Sequence, residues 1–83
     1  MTEQELKSVG FEKVTISKEE SGSKPYHYYE YSIGNIGFMT QPSDQVKGKD
    51  GWFVCFFDYD EIEIYNYNDL KALLDVLNNN KID

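Results

Sequence analysis

Four leucines near the end of the chain, Leu70, Leu73, Leu74 and Leu77, recur at i, i+3, i+4 and i+7. That spacing draws one apolar stripe along a helix, and a helix with a single stripe must lie against another layer. Much of the chain before it alternates with a period of two, so the other layer is a sheet. Asn68 is the expected cap of this helix, and Asp69 falls in its first turn, where the helix dipole favours a negative charge. Asn78 to Asn80 mark its end.

At the other end, Thr2 and Glu5 stand at the spacing of a reciprocal cap, which predicts a short helix from Thr2 to Val9 with a left-handed stop at Gly10. Leu6, Val9 and Phe11 are its expected anchors. Phe11 to Lys18 reads as a strand, with Val14 and Ile16 on one face and Lys13 and Thr15 on the other. Glu19 to Pro25 is expected to be a hairpin loop. Tyr26 to Ile33 follows as a second strand, with His27, Tyr29, Tyr31 and Ile33 on its more apolar face and Tyr26, Tyr28, Glu30 and Ser32 on the other. Gly34 and Asn35 suit a tight turn into a third strand, Ile36 to Gln41. The longest loop, 42–51, leads to Trp52–Phe57, which is apolar on both faces. Such a run is a central strand covered on each side, or a strand with one face held for a partner. After a turn at Asp58 to Asp60, a fifth strand puts Ile62 and Ile64 inward and Glu61, Glu63 and Tyr65 outward. Because 83 residues support one core, the expected fold is a single α+β domain over residues 1–83. It comprises a short N-terminal helix, a five-stranded antiparallel meander, and a C-terminal amphipathic helix packed on one face.

The composition argues against several classes of function. No apolar run reaches the roughly 18 residues of a membrane span, and the start lacks the basic and apolar regions of a secretion signal, so a soluble, cytoplasmic protein is expected. Cys55 sits inside an apolar run and is expected to be a buried, reduced thiol. Fifteen acids against eight lysines give a net charge of -7, with no arginine, a poor composition for gripping nucleic acid directly. The chain has one histidine, His27, and neither a GxGxxG nor a P-loop spacing, so no cofactor is expected. One Cys and one His do not make a zinc site. The acidic run from Asp58 to Asp69 lacks the glycine of a calcium loop at its sixth position and has Ile62 at the fifth, so no metal is expected either. Its acids alternate outward, where solvation makes them weak catalysts, and the expectation is a protein that is not an enzyme.

What remains is charge patterning. From Asp50 to Leu70 there are six acids and no basic residue, interleaved with Tyr59, Tyr65 and Tyr67. Tyr26, Tyr28 and Glu30 add a second aromatic strip. Tyrosine is enriched at protein interfaces because it joins a rigid apolar body to a polar tip. The candidate partner-binding residues are therefore Asp58, Tyr59, Asp60, Glu61, Glu63, Tyr65, Asp69, Tyr26 and Tyr28, and the expected partner is the basic surface of a protein. Small size, acidity, absence of arginine and absence of catalytic motifs resemble the phage-encoded inhibitors of bacterial defence, anti-CRISPR proteins in particular. The ending IEIYNYNDLKALLDVL also looks like the strand-then-helix close of many short phage and bacterial proteins. The resemblance implies an acidic surface that competes for a basic channel holding guide RNA or target nucleic acid. Two alternatives stand beside it. One is a homo-oligomer formed through Trp52, Phe53, Phe56 and Phe57. The other is a small-molecule site near His27 and Cys55.

Overall fold

The computed structural model describes residues 1–48 and 51–82, with the backbone but not the side chain of Asp60. The chain runs α1 (Glu3–Ser8), β1 (Glu12–Ile16), α2 (Lys18–Ser21), β2 (Tyr26–Ile33) and β3 (Ile36–Thr40). A 3₁₀ turn (Ser43–Gln45), β4 (Val54–Phe56), β5 (Tyr59–Ile64) and α3 (Tyr67–Asn80) complete it. The five strands form one antiparallel meander in the order β1-β2-β3-β4-β5, the expected α+β architecture.

Local chemistry explains the helix starts. Thr2 and Glu5 form the expected reciprocal cap of α1, at 3.1 and 2.9 Å. Gly10 follows at φ 105, and a Cβ there would lie 3.0 Å from the Tyr31 ring. The expected hairpin loop after β1 instead contains the single turn of α2, because Ser17 and Glu20 make a second capping box and Gly22 closes it at φ 77. The cap of α3 is Asn66, two residues before the expected Asn68: its Oδ1 accepts from the Asp69 amide at 3.1 Å. Asp69 does lie in the first turn.

The core is built on one side of the sheet. Tyr29, Ile33, Phe38 and Val54 from the strands meet Leu6 of α1, Leu70 and Leu74 of α3, and Phe11 and Trp52. Tyr29, Phe38, Val54, Leu6 and Leu70 are wholly buried. The polar groups of this core are matched: Thr40 Oγ1 accepts from the Tyr29 amide at 3.0 Å. Gln41, also buried, takes the Phe53 amide on its Oε1 and gives its Nε2 hydrogen to the Gly51 carbonyl, both at 3.0 Å. One glutamine thus ties the end of β3 to the approach to β4.

Register settles the facing of β1, which the alternation left open, and the facing of Ile62 differs from expectation. Val14 pairs with Tyr28 and Ile16 with Tyr26, so the apolar face of β1 lies opposite the core and Lys13 and Thr15 take the helix side. Lys13 is tolerated there because it remains exposed to solvent at the edge of the sheet. Ile62, expected inward, is 47% exposed, whereas Ile64 packs against the core. The β4–β5 pairing is irregular between Val54 and Phe56, and Ile62 falls in the stretch of β5 between the two paired residues, Tyr59 and Ile64.

Candidate functional site

Opposite the core lies a sheet face that no helix covers among the described residues. One row across it follows from register: Glu12, Glu30, Met39 and Cys55 are successive partners across four strands, the two glutamates towards the β1 edge and Met39 and Cys55 in the middle of the sheet. Beside it Val14 pairs with Tyr28, and Ile16 with Tyr26. Phe53 points the same way, being next to the inward Val54, and its ring lies 5.2 Å from that of Tyr65. Phe57 lies over Gly37, where a Cβ would come within 3.1 Å of it. That glycine lets the aromatic ring rest on the sheet.

The apolar residues of this face are half-buried by one another, apart from Phe57 and Tyr65, which are exposed. A shallow recess of about 400 Å³ opens between Glu12 and Glu30 on one side and Phe57 on the other. Removal from water, together with the charge of Glu30 and the neighbouring Tyr26, pushes the Tyr28 phenol up. At neutral pH Tyr28 therefore presents an O–H donor above an apolar floor. Of the expected strand Trp52–Phe57 only Val54–Phe56 pairs as β4, with Phe57 in the turn that follows, and the run has one face in the core and one left open. Trp52 and Val54 are buried and Phe56 packs against the core, while Phe53, Cys55 and Phe57 face out. Self-association through four aromatics is thereby reduced to two, since Trp52 and Phe56 are engaged in the core.

The acids expected at the site fall into three places. Glu61 and Glu63 are exposed on β5, each bonded to a tyrosine two residues away: Tyr59 donates to Glu61 at 3.2 Å and Tyr65 to Glu63 at 3.0 Å. Tyr65 joins this strip to the open face through Phe53. Asp58 is exposed in the turn between β4 and β5. Asp69 stands exposed on α3, which packs on the opposite side of the sheet, so it does not belong with Tyr26 and Tyr28. The side chain of Asp60, like Asp50, lies outside the described residues; Tyr59 and Asp60, expected in a turn, are the first two residues of β5. Tyr59 is paired with the core-facing Phe56, and Tyr67 meets Ser8 of α1 at 3.2 Å on the helix side; Tyr65 and the Tyr26–Tyr28 strip, separate in sequence, share the open face, about 14 Å apart at the usual spacing of strands. Met39, Cys55 and Phe53 fill the gap between them. Sequence reasoning missed Met39, Phe53 and Cys55 as site residues because only cross-strand register identifies their face.

His27 and Cys55 do not come together. His27 lies on the helix side, its ring 5.6 Å from Trp52, and Cys55 on the open side, its thiol directed at the Met39 carbonyl at 3.5 Å. Cys55 is also only half-buried, in place of the deeply buried thiol expected. What His27 meets is Glu3: its Nε2 donates to Glu3 Oε1 at 2.6 Å, and Tyr29 donates to the same oxygen at 2.9 Å. The imidazole bond, and with it the Tyr29 hydroxyl, holds the Glu3 carboxyl below its ordinary range in spite of partial desolvation. Burial first, and then Glu3, pushes the Tyr29 phenol up to about 12. This trio clamps α1 to β2. Among the described residues no three His, Cys, Asp or Glu side chains are grouped to hold a metal ion, and no helix is long and apolar enough to cross a membrane. Comparison of the chain with protein-family models, with curated proteins and with solved structures finds no match.

Proposed function

We propose that this protein is a non-enzymatic binding module whose open sheet face docks on a basic surface of another protein. The observation that carries the proposal is the joining of Tyr26, Tyr28, Met39, Cys55, Phe53 and Tyr65 into one uncovered surface, edged by Glu12, Glu30, Glu61 and Glu63. Strands β2 to β5 contain no lysine at all. Such a surface offers aromatic anchors in an apolar centre and a negative rim, the division of labour found at protein interfaces. The rim accelerates encounter with a positively charged partner, and the centre slows release. A basic channel that handles nucleic acid is the natural counterpart, because it is lined with the lysines and arginines this chain lacks. Occupation of that channel by the acidic rim makes the protein an inhibitor, in the manner of the anti-CRISPR class that its composition resembles.

The test begins with capture of binding proteins on the immobilised chain at low and at high salt. A nucleic-acid-handling protein held at low salt, released at high salt, and displaced by its own nucleic acid supports the proposal. Reversing Glu61 and Glu63 to lysine is expected to weaken that binding by at least tenfold and to flatten its salt dependence. Undiminished affinity of the double reversal for such a partner would sink the electrostatic part of the proposal.

A further inference from the structure

The meander ends at β5, and no strand lies beyond it among the described residues. Nor does the backbone of any described loop or helix bond to residues 59–64. A terminal strand presents its outward N–H and C=O groups to any extended chain, so natural sheets guard their edges with lysine, proline or a covering element. β5 has neither lysine nor proline. Its side-chain guard is negative: Glu61 and Glu63 are exposed, each braced by a tyrosine hydroxyl, and Ile62 between them is 47% exposed, in the stretch where the β4–β5 pairing is irregular.

That arrangement selects its occupant. A second copy of β5 would set carboxylates against carboxylates across the new pair, which is unfavourable for directly opposed like charges. A strand that alternates basic and apolar residues meets Glu61 and Glu63 with its cations and Ile62 with its apolar side chains. The other edge of the sheet offers no such pattern, since β1 sets Glu12 beside Lys13 and leads into Lys18 of α2. We infer that the β5 edge accepts an extended segment of the partner, with lysine or arginine at alternate positions, as a sixth antiparallel strand. This rests on the proposal of a basic partner and adds the mode of attachment: main-chain bonds hold the segment, and Glu61 and Glu63 set which segment is held.

The probe is the hexapeptide acetyl-KVKVKV-amide, titrated into isotopically labelled protein while amide exchange is followed by NMR. A control peptide of the same sequence, N-methylated at every residue, keeps the charges and loses the donors. The expected result is salt-sensitive binding of the first peptide with slowed exchange of amides in β5. The methylated peptide, and the first peptide offered to the double variant Glu61→Lys/Glu63→Lys, should each bind at least tenfold more weakly. Equal binding of both peptides, with resonance shifts at Tyr26 and Tyr28 in place of β5 protection, overturns strand addition and leaves the sheet-face proposal standing. Failure of the first peptide to bind also overturns strand addition, and the sheet-face proposal then stands or falls on its own capture experiment. A shift at β5 that survives both glutamate reversals refutes the selection by charge.

Discussion

The two faces of the sheet draw on the same residue types and come to different ends. On the helix side, Tyr29 and Phe38 are wholly buried, and the polar atoms nearby are matched by Thr40, Gln41 and Glu3. On the open side, Tyr26, Tyr28, Phe53 and Met39 shield one another only by half. The difference lies in what accompanies the aromatics. Glu12 and Glu30 lie in the row of Met39 and Cys55, and covering that row with a helix would strip two carboxylates of water, at a cost a small core does not recover. The carboxylates thus oppose a helix of the chain's own on this face, and they are what the proposed positively charged partner would meet.

The largest expected effect separates the faces by stability. Phe38→Ala removes a wholly buried ring that contacts Tyr31 and Phe56, and should cost about 3–5 kcal/mol. Tyr28→Ala or Phe53→Ala should cost about 1 kcal/mol or less, because their sites already reach solvent. Urea unfolding of the three variants decides it. A loss on the open face as large as on the closed one would break the distinction and make both faces core.

A second contrast is in titration. Tyr29, with its phenol pushed up to about 12, binds its proton more tightly folded than unfolded. Its contribution is therefore complete below about pH 10, where an unfolded tyrosine begins to ionise, and is lost as pH rises towards 12. The difference of about two units amounts to roughly 3 kcal/mol. Absorbance at 295 nm should show tyrosines ionising before the fold is lost, and a final one ionising with unfolding. In Tyr29→Phe that last step should vanish. Glu3 acts with the opposite sign: its carboxyl is held below the ordinary range, so its contribution is present above the unfolded value and fades as pH falls through the folded one. Glu3→Gln should flatten the acid limb of stability, read by thermal melts across acidic pH.

How far this was legible depends on the range of the interactions concerned. The Thr2 and Glu5 cap, the leucine stripe and the alternation of β2 are set by neighbours within four residues, and each stands where the pattern put it. The meander follows from short connections. Cross-strand register is a long-range property, and it alone places Val14 beside Tyr28, or Met39 and Cys55 between two tyrosine strips. The clamp of Glu3, His27 and Tyr29 joins residues 24 and 26 positions apart, and nothing in local spacing marks it. Ile62 shows the converse: its alternation with Ile64 is regular in sequence, but the β4–β5 irregularity interrupts the pairing that would cover it.

The smallest effect concerns how the closed face is sealed, through the point at which α3 begins. The sequence points to Asn68 as the cap, shortly before the leucine stripe. The structure gives the role to Asn66, whose side chain holds the Asp69 amide, and carries Asn68 inside the first turn as an exposed residue. Starting two residues earlier also lets the Asn66 carbonyl accept from the Leu70 amide at 3.1 Å, so the first buried leucine is fixed by the turn that the cap closes. Asn66→Ala should then cost about 1 kcal/mol, whereas Asn68→Ala should be neutral or slightly stabilising, since alanine is the better helix former at an interior position. Chemical denaturation of the two variants separates them. An equal loss from both would mean that the start of α3 is shared between two caps and that the seal over Leu70 frays.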